Sequence, residues 1–215
     1  MRSTGNDIVS VNAINVTRTK QPNFYSKILT PTETVLHLEP RFATIPFEIF
    51  VWLLWSVKES AFKFLQRINA NVLFTPVKFE VSDIYVSEGF ELLAFDKTEW
   101  IDIGFEGFDP IQATIRFNDK VFYSTSLIYR EFIISVVNDI NEFDKIHWGV
   151  KQIEGDEAEI QSAEVRAFLI DKSPDKNIMI LKNDNGIPAM LLSNGMNVPV
   201  SFSHHDKWVG YSFQL

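Results

Sequence analysis

Pro46-Phe47-Glu48-Ile49-Phe50-Val51-Trp52-Leu53-Leu54-Trp55-Ser56-Val57-Lys58-Glu59-Ser60-Ala61-Phe62-Lys63 is the stretch on which the fold turns. Proline is tolerated where a helix begins, and the segment reads as the longest helix of the chain, Phe47 to about Ile68. Its first half is apolar nearly all round, so it should be buried. Ile49 to Val57 is the most apolar run, and Lys58 and Glu59 break it far short of the roughly 20 residues a membrane span needs. Ser56, Glu59 and Lys63 are spaced i, i+3 and i+7 and share one face. A carboxylate and an ammonium four apart also form an ordinary helix-stabilising pair. Spacing alone therefore leaves two uses open, an ion pair or a polar site cut into an apolar helix.

Before that helix, Asp7 to Val11 follows Gly5 and reads as a first strand. Asn23 to Leu29 reads as a short helix. Thr30-Pro31-Thr32-Glu33 restarts one, with Thr30 as cap, Pro31 at the first helical position and Glu33 closing a capping box. Beyond it, β-rich runs at Val77 to Tyr85, Ala113 to Phe117, Val121 to Ser124 and Phe132 to Val137 are separated by turn formers, a series of antiparallel strands. Asn138 to Asp144 is polar and acidic, a junction. Glu157 to Ile170 returns to helical spacing, with Ile160, Ala163, Ala167 and Ile170 on one side. Four more strands follow, Asn177 to Leu181, Ala189 to Leu192, Val198 to Phe202 and Trp208 to Phe213. Asp184-Asn185-Gly186 is a turn signal between the first two. Helix-then-strands thus occurs twice, which predicts an α+β protein of two related lobes, 1–140 and 141–215.

The 215 residues carry 20 Lys plus Arg against 28 Asp plus Glu, a formal charge of −8, with 46% hydrophobic and 22% charged residues. Those are globular values, and a chain this long buries roughly 70% of its unfolded surface. The acidic balance argues against non-specific nucleic-acid binding. Without cysteine there is no disulfide, thiolate metal site or cysteine nucleophile. Met1 to Val11 has no long apolar core of a signal peptide. The expectation is a soluble, cytoplasmic protein with no membrane partner.

Chemistry has three candidate seats. Gly5-Asn6-Asp7 is a turn into a strand, or a strand that holds a carboxylate ligand. Asp7 and Glu59 together offer two carboxylates on rigid elements, a common way to hold Mg²⁺ against substrate phosphates, and a nearby Lys63 would neutralise phosphate charge. Ser201-Phe202-Ser203-His204-His205-Asp206-Lys207-Trp208 is a surface hairpin, or a phosphate-recognition element using hydroxyl, imidazole and strand-end amides. Adjacent histidines on a strand face opposite ways, so they make a poor joint metal site. No G-x-S-x-G elbow, phosphate-binding loop or dinucleotide fingerprint is present.

These pieces in this order resemble the 4′-phosphopantetheinyl transferase superfamily. Gly5-Asn6-Asp7 matches its G-x-D motif, followed by Ile8-Val9 as in the small holo-acyl-carrier-protein synthase class. Trp55-Ser56-Val57-Lys58-Glu59-Ser60-Ala61-Phe62-Lys63 matches W/F-x-x-K-E-S/A-x-x-K at every fixed position. Phe24 to Glu33 is similar to the family's F-x-x-R/K-I-L/F-T-x-x-E stretch. Asn185-Gly186-Ile187-Pro188 and Val200 to Val209 resemble its G-K-P and I/L-S-H-S-G-R-W strand pair. In the larger two-lobed class that pair precedes G-x-D; here it follows. The lobe that is N-terminal there is expected C-terminal here, in one chain, so that a monomer suffices. The matches cover about 1–70 and 157–214.

The resemblance implies a pseudo-dimeric 4′-phosphopantetheinyl transferase-like fold. It implies transfer of the phosphopantetheine arm of coenzyme A to a serine of an acyl or peptidyl carrier protein. Asp7 and Glu59 would hold Mg²⁺. Glu59, directly or through water, would take the serine proton, and Lys63 would stabilise the phosphoryl charge. Lys58 would reach the coenzyme, Ser203 and His204 would contact its 3′-phosphate, and Arg166 would add charge. Two positions depart from the family: Ile187 stands where it has Lys, and Val9 where the two-lobed class often has a further acid. Arg18, Lys20 and Lys27 form a basic cluster for an acidic carrier. The alternative is a non-catalytic protein of the same fold that binds coenzyme A or a carrier.

Overall fold

The computed structural model describes residues 3–183 and 186–215. Its centre is a helix of 22 residues, α4 (Phe47–Ile68), with Pro46 in extended conformation as its cap. Strand β1 (Gly5–Ser10) crosses it so closely that a Cβ on Gly5 would lie 1.9 Å from the carbonyl oxygen of Ser60. Between them lie three short helices, α1 (Val16–Thr19), α2 (Pro22–Tyr25) and α3 (Pro31–Leu36). The Thr30–Glu33 capping box forms as expected, whereas the helix expected at Asn23 to Leu29 is only the single turn of α2.

Two antiparallel sheets complete an α+β protein. The first runs β1-β6-β5-β4-β2, with β2 (Glu80–Tyr85), β4 (Ile111–Phe117), β5 (Lys120–Ile128) and β6 (Phe132–Asn138). The second runs β3-β7-β11-β10-β9-β8, with β3 (Glu99–Ile103), β7 (Ile146–Gln152), β8 (Met179–Lys182), β9 (Pro188–Leu191), β10 (Asn197–His205) and β11 (Trp208–Gln214). Helix α5 (Ala158–Lys172) packs on it. The topology repeats. In each half a strand leads into a helix, four strands follow in order, and the last pairs with the first: β1 with β6, β7 with β11. Strand β3 breaks the symmetry by leaving the first half's sequence to form an edge of the second sheet.

Each half has its own core. Phe50, Leu54, Ala61 and Phe64 of α4 pack with Phe79, Ile115 and Phe122. Val165, Phe168 and Leu169 of α5 pack with Val200, Val209 and Phe213. The face of α5 differs from the expected one: Ile160 and Ile170 are 42% and 39% exposed, and Ala163 and Ala167 are also outside. Turning the helix to seat Phe168 and Leu169 buries more apolar surface than seating two alanines.

The sheets meet where β1 lies against β10 and β11, along a polar seam. Thr4 Oγ1 bonds Ser212 Oγ at 2.8 Å, the Asn6 backbone N–H donates to Ser201 Oγ at 2.9 Å, and Asn6 Nδ2 donates to Ser203 Oγ at 2.7 Å. Small residues make this approach feasible; a Cβ on Gly210 would sit 3.1 Å from Ser203 Oγ. Among the described residues no helix is long and apolar enough to cross a membrane. Asp184 and Asn185 of the expected turn lie outside the described residues; β8 and β9 on either side pair antiparallel, and Gly186 has φ of 75°.

Candidate functional site

Asp7 enters from β1 and is 4% exposed. Its Oδ1 accepts from Lys63 Nζ at 2.9 Å, and the same ammonium lies 3.4 Å from Glu59 Oε1. One cation thus already sits between both carboxylates. Asp7 Oδ2 is buried with no hydrogen-bond partner. Burial pushes the Asp7 carboxyl up to about 7, with Lys63 pulling against the shift and Glu59 adding to it. Burial would lower the Lys63 ammonium, but Asp7 and Glu59 outweigh it and hold its pKa above the usual value. An orphaned carboxylate oxygen and a second, half-exposed carboxylate across one shared cation fit a hard divalent ion of the two-carboxylate kind. Among the described residues no group of three or more His, Asp or Glu stands together as a fuller metal site.

Beside this cluster opens a cavity of about 400 Å³ between α4, α5 and the β8–β10 region. Lys63 and Arg67 line it from the first half, and Arg166, Lys182 and His204 from the second. None of the described residues lining it is acidic, although the chain as a whole carries −8. Clustered cations in a concave wall focus a positive potential suited to a polyanion. Burial, with Lys63 next, lowers the His204 pKa, which favours the neutral imidazole at pH 7. Arg67 is held by Ser3 Oγ at 3.0 Å and by the Val200 carbonyl, and burial brings its pKa down to about 10.

On the other side of β10's end lies an apolar groove of about 370 Å³, floored by Ile28, Trp52 and Trp55 and rimmed by Arg18, Lys27 and His205. Adjacent His204 and His205 therefore open onto different spaces, as strand alternation requires. Trp55, Glu59 and Lys63 stand at i, i+4 and i+8 on α4. Trp55 faces the groove and Lys63 the cavity, so Glu59 lies on the helix face that joins them.

The expected residues divide. Asp7, Glu59, Lys63, His204 and Arg166 come together. Lys58 does not reach the cavity: its side chain is fully buried, donating to Glu33 Oε2 at 2.6 Å and to the Ile28 carbonyl at 2.7 Å. Neighbouring helix positions point about 100° apart, so Lys58 turns inward where Glu59 turns out. Ser203 is also withdrawn, accepting from Asn6 and donating to the Gly210 carbonyl; Ser201 lines the cavity in its place. Ile187 lines it too, and Lys182, which faces Pro188 across the β8–β9 pair, brings a charge there. Of the basic cluster, Arg18 and Lys27 rim the groove, with Arg18 packed over Phe24, while Lys20 pairs with Glu48 at 3.0 Å. Arg67 and Lys182 were not singled out in the sequence; Arg67, one turn beyond Lys63, carries the signal that could have found it. No protein-family model, curated protein or solved structure matches the chain.

Proposed function

We propose that the protein transfers the 4′-phosphopantetheine arm of coenzyme A to a serine hydroxyl of an acyl or peptidyl carrier protein, on a pseudo-dimeric fold of the 4′-phosphopantetheinyl transferase kind. The observation that carries this is the order of side chains along α4: Lys63 at a cation-lined cavity, Glu59 one turn back in a paired carboxylate centre with Asp7, and Trp55 at an apolar groove with a basic rim. A phosphate-rich donor fits the first, an acidic protein the last, and a phosphoryl group can pass between them at the middle. The repeated topology supports a site made by two halves of one chain.

In this reaction the serine oxygen forms a bond to the phosphorus on the pantetheine side. The bond from that phosphorus to the bridging oxygen breaks, and adenosine 3′,5′-bisphosphate leaves. Glu59, partly exposed one turn from Trp55 on α4, accepts the serine proton directly or through water. Lys63 stays close to the phosphoryl oxygens as charge builds on the departing side. Arg166, Lys182 and His204 hold the terminal phosphates and so orient the donor. A Mg²⁺ held by Asp7 and Glu59 would supply neutralisation of the pyrophosphate.

The test incubates the protein with coenzyme A, Mg²⁺ and several apo carrier proteins, read by intact mass. The expected result is a gain of one phosphopantetheine on a carrier, lost in Glu59→Gln. Coenzyme binding with no gain on any carrier would instead favour the non-catalytic binder.

A further inference from the structure

The imidazole of His205 has one nitrogen committed and one free. Its Nδ1 accepts the backbone N–H of Ser10 at 3.1 Å. An acceptor nitrogen carries no proton, so a neutral ring bears its proton on Nε2. Burial lowers the His205 pKa against the opposing pull of Asp206 and Glu59, which keeps the ring neutral near pH 7. The ring lines the groove 6.3 Å from Trp52 between centroids, and with Nδ1 engaged by β1 the nitrogen left for a ligand is Nε2. Apart from the cations of the rim, this N–H is a directed donor beside the apolar floor of Ile28, Trp52 and Trp55. It cannot serve as a base, because its one available nitrogen already holds the proton.

We propose that His205 is an acceptor-binding residue, whose Nε2–H hydrogen-bonds the serine-bearing segment of an acidic acceptor protein and brings its hydroxyl to Glu59. The inference rests on the transfer reaction proposed above and names a contact on its acceptor side. Acidity of the partner follows from the groove's rim: Arg18 and Lys27 stand there in a chain whose overall charge would otherwise repel an acidic protein. Aromatic flooring suits the apolar side of a helix or turn that carries the serine. Asp206, next in sequence, accepts from Ser10 Oγ at 3.0 Å, so β1 fixes this corner of β10 by two bonds and holds the ring steady.

Two variants separate this role from a structural one. In His205→Asn, Oδ1 can replace Nδ1 as acceptor for Ser10, but nothing replaces Nε2–H. In His205→Gln the amide N–H₂ reaches where Nε2–H stood. The expected outcome for His205→Asn is a carrier KM raised about fivefold to tenfold, the scale of one lost hydrogen bond. Coenzyme affinity and melting temperature should stay unchanged. His205→Gln should restore most of the loss. A carrier KM unaltered in His205→Asn overturns the proposal, as does a ¹⁵N spectrum with the proton on Nδ1. If the unaltered protein modifies no carrier, the transfer reading fails by itself. The His205 contact is then judged from carrier binding, followed by tryptophan fluorescence: weaker binding in His205→Asn sustains it and equal binding removes it.

Discussion

Asp7 sits in an environment far from that of a free side chain. A free aspartate titrates near 3.9, and burial lifts this one to about 7. Between those values the folded protein binds a proton that the unfolded chain does not. The stabilisation is full below about pH 4 and is lost as pH rises through about 7. Asp7→Asn removes the titration, so its melting temperature should gain on that of the unaltered protein as pH rises from about 5 to 8. A divalent ion competes with the same proton. Stabilisation by Mg²⁺ should therefore be largest above pH 7, fade below it, and vanish in Asp7→Asn. Melting curves that move in parallel for both proteins, with and without Mg²⁺, would show that Asp7 neither titrates nor binds metal there. Much of this centre was legible in the sequence, because Glu59 and Lys63 share a helix face and Asp7 begins a strand. Lys58 was not, since adjacency in sequence to Glu59 says nothing about which way a helix turns it. Ser203 was not either, because Asn6 from a distant strand captures its hydroxyl.

At the scale of elements, the helix α4 is held from two sides. On one side β1 touches it through Gly5. On the other, Lys58 meets Glu33, whose Oε1 also accepts the Val81 N–H at 2.8 Å and whose Oε2 accepts the Thr30 N–H at 2.8 Å. That carboxylate ties α3, β2 and α4 together with no exposure to water. Lys58→Met strands a buried charge and should cost about 3–5 kcal/mol in a denaturant melt. Glu33→Gln with Lys58→Met should recover a large part of it. Coenzyme affinity in the folded double variant should be unchanged; a selective loss would return Lys58 to the binding site. Gly5→Ala should destabilise by about 1–3 kcal/mol or more, since backbone and not a pliable side chain blocks the new methyl. Elements are legible in the sequence where periodicity is long and unbroken, as in α4. Strand β7 is not, even though Ile146, Trp148 and Val150 alternate inward, because His147, Gly149 and Lys151 look like loop residues beside an acidic junction. Strand β3 has mixed composition and an open edge, and its pairing with β7 depends on a partner more than 40 residues away. In α5 the small-residue stripe and the bulky stripe both have helical period, and only tertiary packing decides between them.

For the whole molecule, the repeated strand–helix–meander places the long helix of one half across from the short helix of the other, and the cavity lies where they approach. Neither half holds the full set: Asp7, Glu59, Lys63 and Arg67 belong to one, Arg166, Lys182 and His204 to the other. The halves meet through hydroxyls and an asparagine along β1 and through a shared apolar cluster in which Ile8, Phe132 and Ile134 pack with Trp148, Val150 and Trp208, and a polyanion bridging them should add to the stability of the folded chain. On the proposed transfer reaction, a site shared by both halves predicts one donor per chain. Calorimetric titration with coenzyme A and Mg²⁺ tests that claim most directly. The account predicts one site per chain, weakened about tenfold or more by Arg166→Ala or Lys182→Ala, since a charge-assisted hydrogen bond contributes about 1.5–3 kcal/mol. It predicts, too, that Asp7→Asn removes the dependence on Mg²⁺. No binding at millimolar coenzyme A, or binding indifferent to charges from the second half, would contradict it.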